Sequence, residues 1–95
     1  MTENKKNETR EDVLKRLRRI EGQVKGIQKM ITEDKYCADI LTQVAAVRAA
    51  INKVGSILLE KHSLRCIEDA ISSEDRKKSL NELAKTVQTF MKFVD

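Results

Sequence analysis

An all-α fold is predicted for this 95-residue chain, and three observations predict it. Apolar residues recur in steps of three and four along most of the length, which is the spacing of a helix face. The chain holds no proline and only three glycines, so little interrupts a helix. Aromatic residues make up 3% and charged residues 36%, a balance that suits helices better than sheets.

The first helix is defined by Val13, Leu17, Ile20, Val24, Ile27 and Ile31, a seam that packs on another helix. Thr9, with Asp12 three places on, resembles a capping box, although Asp closes it less well than Glu or Gln. The polar residues 1–8 are expected to form a disordered tail, leaving residues 9–95 as a single domain. Thr32-Glu33-Asp34-Lys35 has no periodicity and should turn the chain. Ile40, Val44, Val47, Ile51, Val54 and Leu58 define a second helix, from about Tyr36 to the mid-60s, with Gly55 the one breaker inside it. Ser72 or Ser73, followed by Glu74 and Asp75, marks a new helix start with acids at the positive end of the dipole. Leu80, Leu83, Val87, Phe90 and Val94 define a shorter third helix.

A short turn between two long helices makes an antiparallel hairpin. Two amphipathic helices enclose a core poorly, but two such hairpins form a four-helix bundle, so a dimer is the least assembly expected. Gly22 and Gly26 cost about 1 kcal/mol each in helix propensity. They serve either close helix approach or relief of crowding against a bulky neighbour.

Composition narrows the function. No apolar run reaches membrane-span length, and MTENKKNETR lacks the apolar centre of a signal peptide. No membrane partner is expected, and the cytoplasm is the expected location. There, two cysteines read as thiols or metal ligands rather than as a disulfide. Cys66 beside Arg65 is a candidate nucleophile, but no base or orienting group accompanies it and aromatic pocket walls are missing, so no enzyme is expected. The net charge of +4 conceals a concentration: Lys15, Arg16, Arg18, Arg19, Lys25 and Lys29 face only Glu21 in the same segment. Such density attracts polyanions.

Cys37, His62 and Cys66 are the only cysteines and the only histidine. His62 and Cys66 are four apart and share a helix face. Taken alone, the pair reads either as a bidentate metal site or as a structural core pair. Cys37 lies 25 residues from His62, roughly 37 Å on one helix, so the three cannot meet within one subunit. An antiparallel copy of the same helix brings them together, with the crossing near Ala45, Ala46, Ala49 and Ala50. Alanine there suits close approach, although it is also simply the best helix former. Two thiolates and one imidazole form a soft, low-coordinate set suited to Cu(I), whereas zinc normally requires a fourth ligand.

Three features together resemble the copper-sensitive operon repressor (CsoR) family. They are the segment Arg16-Leu17-Arg18-Arg19-Ile20-Glu21-Gly22-Gln23-Val24-Lys25-Gly26-Ile27, the Tyr36-Cys37 pair and the His62-x-x-x-Cys66 spacing. The likeness runs from about Val13 to the end. It implies all-helical dimers that pair into tetramers and repress copper-efflux operons. It also implies trigonal Cu(I) binding through Cys37 of one subunit and His62 and Cys66 of another, with Tyr36 and Glu82 as groups beside the ligand histidine. Operator DNA is the implied partner, held by the first two helices through Arg16 and Lys53, with Arg18, Arg19, Lys25 and Arg48 as additions. No helix-turn-helix is visible, so a broad positive face contacting phosphates is expected. Related nickel and cobalt sensors use extra histidines, formaldehyde sensors an N-terminal proline, and persulfide sensors lack the histidine. The full Cys–His–Cys set points to copper. The competing readings are a sensor of persulfide or another soft ligand or metal, and a copper store without DNA function.

Overall fold

The computed structural model describes residues 2–72 and 75–92, with side chains for 9–71 and 75–92. The described residues form three helices: α1 (Thr2–Thr32), α2 (Cys37–Ser72) and α3 (Arg76–Lys92). No strand occurs among them, as the apolar spacing predicts. The chain forms two compact units, residues 1–54 and 55–95, which divide within α2 with no linker between them.

α1 starts at Thr2, ahead of the Thr9 start and across the expected tail. The cause is local: residues 2–8 include neither glycine nor proline, so nothing stops the helix. Asp12 therefore lies well inside α1 and accepts from Arg16 Nε at 3.1 Å instead of closing a capping box. This i,i+4 pair is exposed and worth a few tenths of a kcal/mol.

The end of α1 is a Schellman motif. Lys35 N–H donates to Met30 O at 2.9 Å, and Asp34 N–H donates to Ile31 O at 3.1 Å. Asp34 occupies the left-handed position, with φ of 52°, where glycine is usual. The chain then reverses, and Tyr36 O opens α2 by accepting from Ile40 N–H at 3.2 Å. Asp39 sits in the first turn, at the favourable end of the dipole. Because the connection is so short, α1 and the first half of α2 run antiparallel within the first unit.

Burial divides the predicted seams. On α1, Val13 and Ile20 are buried and Leu17 and Ile27 half-buried, while Val24 and Ile31 are exposed. On α2, Ile40, Val47 and Val54 turn inward, whereas Val44, Ile51 and Leu58 are exposed. A single antiparallel neighbour covers one edge of a wide apolar stripe and leaves the other open. Gln23 is half-buried with an Oε1 that has no donor among the described residues.

α2 continues past the mid-60s to Ser72 because Cys66 and Ala70 are buried in the second unit. Tertiary packing thereby extends a helix that apolar spacing alone ends sooner. Ser72 is thus the last residue of α2 and not a cap, and Ser73 and Glu74 lie outside the described residues. Asp75 O accepts from Ser79 N–H at 3.2 Å and opens α3. The covered face of α3 carries Ser79, Leu83, Val87 and Phe90, while Leu80 points outward and Val94 lies outside the described residues.

An aspartate at a left-handed helix end carries both backbone strain and a charge repelled by the helix's negative pole. Asp34→Gly removes both and is expected to raise stability by about 0.5–1 kcal/mol. Urea denaturation at fixed protein concentration checks it, and an unchanged or lowered midpoint contradicts it.

Candidate metal centre and nucleic-acid interface

His62 and Cys66 lie one helical turn apart on α2, and their functional atoms converge. Cys66 Sγ lies 3.5 Å from His62 Nε2. At metal–nitrogen and metal–sulfur distances of about 2.0 and 2.3 Å, two donors 3.5 Å apart subtend about 110° at one ion. The pair is therefore pre-set as a chelate. Ser63 does not compete for it, because its hydroxyl donates to Leu59 O at 2.8 Å. Cys66 is buried and His62 half-buried.

Cys37 differs in every respect. It is the first residue of α2, its thiol is exposed, and it belongs to the other unit. Among the described residues, no group of three or more His, Cys, Asp or Glu side chains is gathered to hold a metal. One chain thus brings together two of the three sequence-predicted donors. Tyr36, 74% exposed, and Glu82, also exposed, make no hydrogen bond to His62. The Glu82 carbonyl accepts from the Thr86 hydroxyl at 2.9 Å.

The predicted DNA-contacting residues do not form one surface. Arg18, Arg19 and Lys25 are exposed on the α1 face opposite Val13, Ile20 and Ile27. Arg16 lies to the side, half-buried and paired with Asp12. On α2, Arg48 stands between exposed Val44 and Ile51, and exposed Lys53 points to a different side.

The α1 face holds more cations than the resemblance assigns to DNA. Lys15, Arg18, Gly22, Lys25 and Lys29 follow in steps of three and four, with Arg19 and Gly26 alongside, and all are exposed. Lys29 approaches Glu33 at 3.9 Å but keeps 75% side-chain exposure. Helical steps place Lys15 and Lys29, already part of the charge count, on the same face as Arg18 and Lys25. A Cβ added at Gly22 or Gly26 meets nothing within 4 Å. Neither proposed role for these glycines, close approach or relief of crowding, is exercised inside the chain. The glycine that accommodates a neighbour is Gly55, where an added Cβ would lie 2.7 Å from Phe90 Cζ.

No helix among the described residues is long and apolar enough to cross a membrane. Long helices with a paired Cys–His and a basic α1 face define a class, and the sequence matches it directly. Residues 9–89 match the metal-sensitive transcriptional repressors, and the chain belongs to that family, which is one of repressors and not of enzymes. Among relatives, it is 44% identical over 89 residues to the copper-sensing transcriptional repressor CsoR of Bacillus subtilis (strain 168), covering 94% of this chain and 88% of that one. It is 49% identical over 63 residues to the copper-sensing repressor RicR of Mycobacterium tuberculosis (strain H37Rv), covering 66% of each. The structure is similar to the copper-sensing repressor CsoR with Cu(I) from Geobacillus thermodenitrificans NG80-2, with a TM-score of 0.77 and 46% identity over 85% of this chain and 84% of that one. It is equally similar in shape, at 0.77, to the nickel-responsive transcriptional regulator InrS, with 35% identity over 84% of this chain and 90% of that one.

Because both α1 glycines occupy open helix surface, Gly22→Ala and Gly26→Ala should each stabilise the protein by about 1 kcal/mol through helix propensity. Thermal or urea melts at matched concentration check this. A loss of stability in either variant would show that something outside the chain seats against that position.

Proposed function

We propose that this chain is a Cu(I)-responsive repressor that holds operator DNA when metal-free and releases it when Cu(I) binds. The site is formed by Cys37 of one copy with His62 and Cys66 of another. The observation that carries the reading is the 3.5 Å approach of Cys66 Sγ to His62 Nε2, a pair that gathers no third donor among the described residues. Two thiolates and an imidazole suit a soft monovalent ion content with three ligands. The copper-sensing names of the relatives point the same way. Shape alone does not choose the metal, since a nickel-responsive regulator is equally similar. The donor set does, because His62 is the only imidazole available.

The helix supports a second copy as the source of the third donor. From Cys37, steps of three and four reach Leu41, Val44, Arg48, Ile51, Gly55, Leu59, His62 and Cys66 in turn, so all three ligands lie on one α2 stripe. Leu41, Val44 and Ile51 are exposed on it, as are Ala45, Ala46 and Ala49 near the antiparallel crossing. A homodimer, pairing further into a homotetramer, covers these exposed residues and places Cys37 of one α2 beside the far end of the other.

In the metal-free protein, Lys15, Arg18, Arg19, Lys25 and Lys29 present an unshielded stripe to DNA phosphates. Arg16, Arg48 and Lys53 join them on the strength of the family resemblance, as Tyr36 and Glu82 join the metal site. Release follows from linkage: metal that favours the low-affinity arrangement weakens DNA binding, and DNA weakens metal binding by the same factor. The regulated genes are those of copper efflux and homeostasis. A copper store is disfavoured by the basic α1 face, which a store does not need.

A gel shift on the protein's own promoter, with and without Cu(I), tests the reading. Metal-free protein should shift the DNA, and Cu(I) should abolish the shift. Release by Ni(II) but not Cu(I) would reassign the metal, and absence of any shift would leave a store. Cys37→Ser and His62→Ala should retain DNA binding and lose release by Cu(I). A folded variant that cannot bind DNA at all contradicts the sensing role. Affinity should also fall with salt, log K dropping about 0.9 per decade of salt for every phosphate neutralised, whereas a flat profile rules out the phosphate-contacting face.

A further inference from the structure

We propose that Phe90, seated at Gly55, is a positioning residue for the metal site: it pins α3 along the His62–Cys66 face of α2 and so sets how readily the Cys66 thiol is reached. The contact is one that only glycine permits. A Cβ at position 55 would lie 2.7 Å from Phe90 Cζ and 3.6 Å from Cδ2, so the ring fills the space where any other side chain would begin.

The register follows from that anchor. α2 and α3 are joined by residues 73–75, too short a connection for anything but an antiparallel pair within the second unit. Seven residues on from Gly55 is His62, and seven back from Phe90 is Leu83. Eleven residues on from Gly55 is Cys66, and eleven back from Phe90 is Ser79. Leu83 and Ser79 are both half-buried, and Cys66 retains only 7% exposure. One aromatic contact thus fixes which turns of α3 lie over the chelating pair. The consequence is an asymmetry between the two thiols, with Cys37 exposed and Cys66 buried within the unit that α3 helps to form. A metal or a partner's thiol reaches Cys66 only as far as α3 yields.

The importance of this for sensing rests on the proposed role of Cys66 as a ligand, but the latch itself is tested by thiol chemistry without copper. In a Cys37→Ser background, Cys66 is the sole thiol, and its attack on Ellman's reagent forms a mixed disulfide and releases one thionitrobenzoate per chain. That reaction should be slow in the otherwise unchanged protein compared with the reaction of Cys37 in a Cys66→Ser protein. Phe90→Ala should accelerate it by at least about tenfold, because opening α3 locally becomes easier. Gly55→Ala should do the same while preserving Phe90 and favouring helix in α2, which separates a displaced ring from a generally unfolded chain. Equal rates for Cys66 and Cys37, or unchanged Cys66 rates in folded Phe90→Ala and Gly55→Ala proteins, overturn the latch. Accelerated thiol reaction in these variants, together with no Cu(I)-dependent DNA release by the protein that keeps Cys37, would uphold the latch and sink the sensor reading instead.

Discussion

Helices as long as α1 and α2 present more apolar face than 95 residues can cover, and most features of this protein trace to that imbalance. Each helix has one edge of its stripe against a neighbour and the other open. No described side chain is completely enclosed, and only five hydrophobic residues are buried. A chain with so small a core draws its stability from whatever covers the remaining face. A site placed on that face is therefore coupled to assembly from the outset.

In the proposed function, the metal centre is built on this coupling. His62 and Cys66 form a chelating pair that one helix holds by itself, since residues four apart share a face whatever else is present. The third thiol lies on the same stripe of the same helix but at its beginning. A second copy that covers the open apolar edge can also supply that donor, so the same contact that buries Leu41, Val44 and Ile51 completes the ligand set. Ligand binding and subunit geometry then become one equilibrium, which is what a repressor needs to convert an ion into loss of DNA affinity.

The basic face of α1 is separated from this machinery by the body of the helix. Its cations stand opposite Val13 and Ile20, with Gly22 and Gly26 among them and no side chain nearby. In the proposed repressor, DNA and metal are read on different helices. Arg16 is the exception, tied to Asp12 and turned toward the side of the helix.

Three helices, the turn at residues 32–35, the His62–Cys66 pair and the density of positive charge were all legible from residue order. Each depends on neighbours a few places apart, and helical periodicity converts those spacings directly into faces. Even the Asp34 turn lies where periodicity lapses. Other features needed tertiary contacts. Which half of each apolar seam is covered depends on the single neighbour available, so Val24, Ile31, Val44 and Ile51 could not be told from Ile20 or Val54 by spacing. The length of α2 depends on Cys66 and Ala70 being buried in the second unit. Gly55 read as a mere helix breaker until Phe90, thirty-five residues away, was found against it. Sequence determines what lies on a helix face, because that is local; only the folded chain decides what the face meets, because that is a property of residues distant in sequence and close in space.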